Sequence, residues 1–257
     1  MRVAIYIRSV ESARGAERVA VNVARGLAAR AHHVDFLVEE DRAWLIGELV
    51  AQHANVSLLD LRCAGRSAFD RLFRAWAFIA HLAAAPRALL TSGDACIGPV
   101  ARVLFKDRPP IRALHHYLRR VRPQAVLSFL NYPNFVLLLT ARLCPAETRF
   151  VVSVRNHMSV AAANNESKWV RSVPRMMRRL FRLADAVVVP SRGVADDVVR
   201  ITGLADDRIS LVYNPVFRPE LTSLAEARID HPWLADGNEP VVLGVGKFKP
   251  QKDFPTL

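Results

Sequence analysis

The chain has little cysteine. Cys63, Cys96 and Cys144 are odd in number, far apart and never in a CxxC pair, which excludes a disulfide framework and suits reduced thiols in a cytosolic protein. Long apolar runs are missing too: no stretch reaches roughly 18 uncharged apolar residues, so no transmembrane helix is expected. The opening Met1-Arg-Val-Ala-Ile-Tyr-Ile-Arg8 has an apolar run of only five residues before Arg8, which reads as a strand and not as a signal peptide. There is no GxGxxG, so the dinucleotide fingerprint is absent and a nicotinamide-dependent dehydrogenase is disfavoured. Neither zinc-finger spacing nor a basic ribbon interleaved with aromatics occurs, which weakens nucleic acid as a partner. His32-His33 and His115-His116 are adjacent pairs. Neighbours do not share a helix face, and with no divalent-metal carboxylate motif no metal site is expected. There is no internal repeat and no low-complexity tract.

Acidic residues are the minority, 24 against 36 Lys and Arg, for a net charge of +12. Such an excess points to nucleic acid, an anionic membrane surface or phosphorylated small molecules. Arg far outnumbers Lys, with denser groups at Arg119 to Arg122 and Arg175 to Arg182. The Arg-flanked segment Phe69–Leu90 reads either as a surface-lying membrane helix or as a core-facing amphipathic one. Hydrophobic residues make up 51% of 257, enough for a sizeable core.

Strand and helix patterns alternate. Strands are expected at Val3–Ile7, Val34–Val38, Val56–Leu61, Ala125–Leu130, Arg149–Val154, Ala186–Val189 and Ile209–Val212, with a short one at Ala88–Thr91. Helices are expected at Ala16–Arg30, Ala43–Gln52, Phe135–Leu143, Lys168–Leu183 (kinked at Pro174) and Val194–Thr202. Residues 67–122 read as mostly helical. Apolar, β-branched strands alternating with helices predict an α/β fold, a Rossmann-like parallel sheet with helices on both faces. Ligands in such sheets sit beyond the C-terminal strand ends. The Pro-punctuated, acidic stretch from Pro215 reads as a linker. The domain plan is therefore 1–214, a linker 215–239, and the start of a second domain at 240–257.

The last stretch reads as a buried strand (Val241 to Val245), a glycine turn at Gly244 and Gly246, and a helix start with Asp253 as N-cap and Pro255 in the first turn. A helix N-terminus flanked by Lys247 and Lys252 suits a diphosphate. An ordinary strand–turn–helix with solvated lysines fits the same residues. Gly15, opening the first helix, allows close approach of an anionic ligand. The same loop also reads as a plain connection in which Glu17 stabilises the helix dipole. Arg155-Asn156-His157 stand at the tip of a buried strand. An Arg there can grip phosphate or carboxylate with two donors, and a His can move a proton near neutral pH. A polar loop is the plainer alternative. Ser191 reads as a helix cap and Asn214-Pro215 as a turn.

Four segments in order, Gly15-Ala-Glu-Arg18, Ala184–Ser191, Ile209–Val216 and Gly244–Asp253, resemble the retaining glycosyltransferases of family 4, which have the GT-B architecture. The resemblance implies two facing Rossmann-like domains, the second truncated here, and no cofactor beyond a nucleotide-diphospho-sugar donor. It implies a sugar acceptor; the basic charge and missing membrane span point to a saccharide or lipid-linked one, in envelope polysaccharide or glycolipid synthesis, and the missing motifs to no nucleic-acid partner. The expected location is the cytoplasm, peripheral at the inner membrane face. In site terms it implies donor-diphosphate contacts from Gly15, Gly246, Lys247 and Lys252, acceptor-side roles for Glu17 and Asn156, and catalytic roles for Arg155 and His157. Lys247 stands where arginine is more usual, and Arg155 where the family often has histidine. The family's pair of donor-domain glutamates eight apart has no counterpart there, so residues 1–257 alone are expected to be weakly active or inactive. The alternative is a non-catalytic glycan- or partner-binding domain.

Overall fold

The computed structural model describes residues 1–10, 15–39, 44–61, 110–141, 147–216, 220–234, 240–246, 248 and 253–256. Two compact units divide the chain, Met1–Val216 and Phe217–Leu257.

In the first unit seven strands form one sheet: β1 (Arg2–Tyr6), β2 (His33–Val38), β3 (Val56–Asp60), β4 (Ala125–Phe129), β5 (Arg149–Ser153), β6 (Ala186–Val189) and β7 (Ile209–Leu211). Every pairing is parallel, in the order β3-β2-β1-β4-β5-β6-β7. The chain starts mid-sheet, runs outward to β3, then returns beside β1 and runs outward the other way. The switch of direction falls between β1 and β4, where connections on either side diverge and leave a crevice at the C-terminal strand ends.

The strands hold because side chains alternate between two faces, each with its own core. Ile5, Phe36 and Phe129 pack with Val19, Ala20 and Ala24 of α1 (Gly15–Ala29) and Ile46 and Leu49 of α2 (Trp44–Gln52). Ala4, Tyr6 and Val126 face the other way, against Leu114 and Leu118 of α3 (Pro110–Val121) and Val136 and Leu137 of α4 (Asn131–Ala141). Further along, Val152 and Val187 pack under α5 (Met158–Ala163), α6 (Lys168–Leu180) and α7 (Arg192–Thr202) through Met158, Met177, Val194 and Val198. Helices therefore cover both faces, as the apolar strand runs require.

Several boundaries differ from the sequence reading. Helix α4 begins at Asn131, four residues early, because Leu130 takes a positive φ of 75° and its carbonyl accepts from Asn134 N–H at 3.0 Å. Helix α6 ends at Leu180 and tightens into a 3-10 turn, Phe181–Leu183, with Pro174 inside it. The short helix α5 was not expected at all. The region 67–109, with Ala88–Thr91 and Phe69–Leu90, lies outside the described residues. Among the described residues, no helix is long and apolar enough to cross a membrane.

The second unit departs most. Its described elements are α8 (Glu220–Ala225) and 3-10 turns at Pro232–Leu234 and Phe254–Thr256. The expected buried strand at Val241–Val245 is not formed: Val242, Leu243 and Val245 are 80%, 81% and 85% exposed. A strand covered on both faces needs flanking strands to pair with, and no strand is present among the described residues of this unit. The expected helix after Asp253 is a three-residue turn, in which Asp253 accepts the Thr256 hydroxyl at 2.7 Å rather than capping a helix. Among the described residues there, no helix N-terminus suited to a diphosphate occurs, and Gly246 is exposed in irregular chain. Lys247 and Lys252 lie outside the described residues.

Candidate active site

The tip of β5 carries the cluster. Beyond Ser153 the chain leaves the sheet through Val154, which donates to Val188 O at 3.0 Å, then Arg155, Asn156 and His157, and enters α5 at Met158. A buried asparagine fixes this tip. Asn134 of α4 accepts from Ser128 Oγ at 2.6 Å and donates to Ser153 O at 2.9 Å, joining the ends of β4 and β5.

Arg155 is half-buried. It donates from Nη1 to Ser153 Oγ at 3.2 Å and from Nη2 to Asn214 Oδ1, and its guanidinium carbon lies 5.7 Å from the centre of the Phe129 ring. Burial pulls its pKa below the usual arginine value. Asn214 follows β7, and the backbone beside it is held by Asn22 of α1, whose Nδ2 donates to Pro215 O at 2.8 Å. Asn156 is exposed.

His157 is the N-cap residue of α5, but its side chain does not bond to the helix. The capping carboxylate comes from α7. Asp197, fully buried, accepts from the backbone N–H of Met158 at 2.6 Å and of Ser159 at 3.1 Å, and from the Ser159 hydroxyl. An anion at a helix N-terminus is favoured by the free N–H groups and the dipole. The same carboxylate lies 3.3 Å from His157 Nδ1. The Ser159 hydroxyl, which donates to Asp197, lies 3.3 Å from the same nitrogen; a ring with its proton on Nδ1 would leave Nε2 as an acceptor. The His157 side chain is 37% exposed, which keeps that nitrogen reachable.

Gly15 opens α1 as expected. A Cβ there would meet no atom within 4 Å, so nothing among the described residues requires glycine. Glu17, in the first turn of α1, is only 4% exposed. The structure thus brings Arg155, Asn156 and His157 together at one strand end. It adds Asp197, Ser159 and Asn214, whose roles the sequence reading missed. The signal for Asp197 was a carboxylate three residues from Val194, on the same helix face as buried Val194, Val198 and Ile201.

A second group lies at the ends of β1 and β2. Buried Tyr6 donates its hydroxyl to Glu39, and Arg8 sits 5.3 Å from the centre of the Tyr132 ring. Burial first, then the Glu39 charge, pushes the Tyr6 pKa well up.

No curated protein matches this chain. In fold it is similar to Anabaena HepE solved in complex with UDP, with a TM-score of 0.50 and 12% identity over 88% of this chain and 49% of that one. The same protein in complex with UDP and glucose gives 0.50, 13%, 88% and 49%. The chain therefore spans about half the length of these solved structures, and its parallel, helix-covered sheet is the Rossmann-like fold seen in GT-B glycosyltransferases. The model of Glycosyltransferase Family 4 matches residues 13–217. With four-fifths of its length so matched, the chain belongs to Glycosyltransferase Family 4.

Proposed function

We propose that this chain is the acceptor-side part of a glycosyltransferase that moves a sugar from a nucleotide-diphospho-sugar to a saccharide or lipid-linked acceptor, with retention of configuration. The observation that carries the reading is the family match over residues 13–217, joined to a polar cluster at the C-terminal strand ends where this sheet type binds ligands. UDP in the similarly folded HepE supports a nucleotide donor.

In the transfer, the bond from the anomeric carbon to the diphosphate oxygen breaks. A bond to an acceptor hydroxyl oxygen forms, that hydroxyl loses its proton, and negative charge collects on the departing diphosphate. His157 suits the proton: with Asp197 3.3 Å from Nδ1, the tautomer protonated there leaves Nε2 to accept a hydrogen bond or a proton from the acceptor hydroxyl. Asn156, exposed beside it, suits hydrogen bonding to acceptor hydroxyls. Lys247 and Lys252 would offset the leaving-group charge, with Gly246 of the same stretch allowing close approach of the donor; Gly15, opening α1, would separately allow close approach of an anionic ligand. No cofactor or metal is called for in this scheme. A cytoplasmic protein, peripheral at the inner membrane face and acting in envelope polysaccharide or glycolipid synthesis, is the setting the basic charge favours.

The test is sugar transfer by the product of the complete reading frame, with the 257-residue chain in parallel. Nucleotide diphosphate release that depends on acceptor, with the anomeric configuration of the product read by NMR, is the expected result. An inverted product overturns retention alone. Turnover by residues 1–257 at the rate of the longer protein overturns the assignment of the chain to the acceptor side only.

A further inference from the structure

Arg155 keeps different company from Arg2 and Arg149. Arg2 meets Asp35 at 2.7 Å and Arg149 meets Asp185 at 2.9 Å. Arg155 has only neutral partners, the Ser153 hydroxyl, the Asn214 amide oxygen and the Phe129 ring, and no carboxylate pairs with it among the described residues. A partly buried cation without a counter-charge is unfavourable unless something supplies one. Here the surroundings do not relieve it; burial alone acts on its pKa. The protein nonetheless holds the guanidinium firmly. Ser153 is fully buried in β5, and Asn22 fixes the backbone next to Asn214. Two of the five N–H donors are engaged in these bonds, which leaves three for another acceptor. The position, beyond the end of β5, is open to ligands in this type of sheet.

We propose that Arg155, aimed by Ser153 and Asn214, is a binding site for an oxyanion, phosphate or carboxylate, carried by a substrate. The guanidinium fork matches the two oxygens of such a group, and its low exposure strengthens the pairing. That the group belongs to a substrate rests on the transferase reading above; the anion site does not. A merely structural Arg155, tying β5 to the β7 exit, would bind no anion.

The chain, isotopically labelled, is titrated with inorganic phosphate while NMR follows the Arg155 Nε–H and the backbone amides of residues 154–156. Chloride at equal ionic strength is the control. A saturable shift with phosphate and none with chloride is expected. Arg155→Gln weakens phosphate binding about tenfold or more, and Arg155→Lys, which keeps the charge and loses the fork, weakens it less. Absence of a saturable shift, or unchanged phosphate affinity in Arg155→Gln, overturns the proposal. Should Arg155→Gln not fold, unchanged affinity in Asn214→Ala together with Arg155→Lys overturns it instead. UDP and glucuronate, with glucose as the uncharged control, then distinguish the sources. Arg155 signals moved by UDP assign the oxyanion to the donor, and those moved by glucuronate to an acidic acceptor; if phosphate moves them and neither of these does, the substrate role is overturned. Phosphate binding at Arg155 without sugar transfer by the longer protein contradicts the transferase reading alone. Transfer without such binding contradicts this inference alone.

Discussion

At the scale of single residues, the chemistry at the β5 tip depends on groups that are remote in sequence. Asp197 meets Met158 across 39 positions and does two things at once: it satisfies the first N–H groups of α5 and it sets a carboxylate 3.3 Å from His157 Nδ1. The two are separable. Asp197→Asn keeps an acceptor oxygen for the backbone but no longer demands Nδ1–H, so nitrogen NMR of His157 is expected to show a shift toward the Nε2–H form with the fold intact. Asp197→Ala orphans two N–H donors and a hydroxyl, and a loss of about 2–4 kcal/mol is expected in urea unfolding. An unchanged tautomer in Asp197→Asn would mean the histidine is held by something else. Asn134 is the other such residue. Its replacement by Ala leaves the buried Ser128 hydroxyl and Ser153 carbonyl without their partner, and about 1–3 kcal/mol is the expected cost by the same measurement.

This scale also shows the limit of reading residues in order. Arg155, Asn156 and His157 were legible because a buried strand ending in polar residues marks a ligand-facing edge. Asn214 read as a turn residue, and its bond to Arg155 spans 59 positions, beyond any local pattern. Glu17 read as a helix-dipole partner or an acceptor-side residue, and the sequence did not show that it is buried. An acid in a helix's first turn looks the same in sequence whichever way it faces.

At the scale of elements, strands and helices followed the sequence wherever one segment carried its own signal. β6 is bounded by Ser191, which caps α7 by accepting from Val194 N–H at 3.4 Å, as its position after the apolar run suggested. Ser191→Ala is expected to lower stability by about 0.5–1 kcal/mol, at the low end for a cap because the bond is long; circular dichroism of thermal unfolding would read it. The far end of α7 closes on Gly203 at φ 68°, the left-handed turn glycine favours. Helix α5 was not legible: it has six residues, no side-chain cap of its own, and an N-terminus satisfied from α7. The converse failure is Val241–Val245. Its apolar run states what the segment would bury, not whether neighbours are there to bury it, and those valines and leucine remain exposed.

For the whole molecule, two buried tyrosines give a pH signature. Tyr6 and Tyr117 have folded-state pKa values raised above the ordinary 10, by burial first and then by Glu39 and Asp35 respectively. In the unfolded chain both lose protons above about pH 10, while the folded chain keeps them. Their contribution is therefore complete below pH 10 and falls as pH rises toward the folded values, by about 1.4 kcal/mol per pH unit for each tyrosine. Unfolding free energies are expected to be nearly level at pH 9 and to decline above pH 10, approaching that slope near pH 11, and Tyr117→Phe to remove one tyrosine's share. A flat profile would contradict the buried, neutral state of these groups.

The central claim is sugar transfer from a nucleotide-diphospho-sugar. The most direct measurement offers labelled nucleotide sugars and an envelope saccharide and lipid extract to the product of the complete reading frame, as wild type, His157→Ala and Lys247→Ala. The account predicts label passing from one donor into the extract, with transfer reduced at least tenfold in each variant. Failure of every donor to bind or to give up its sugar, in a protein shown to be folded, would contradict it.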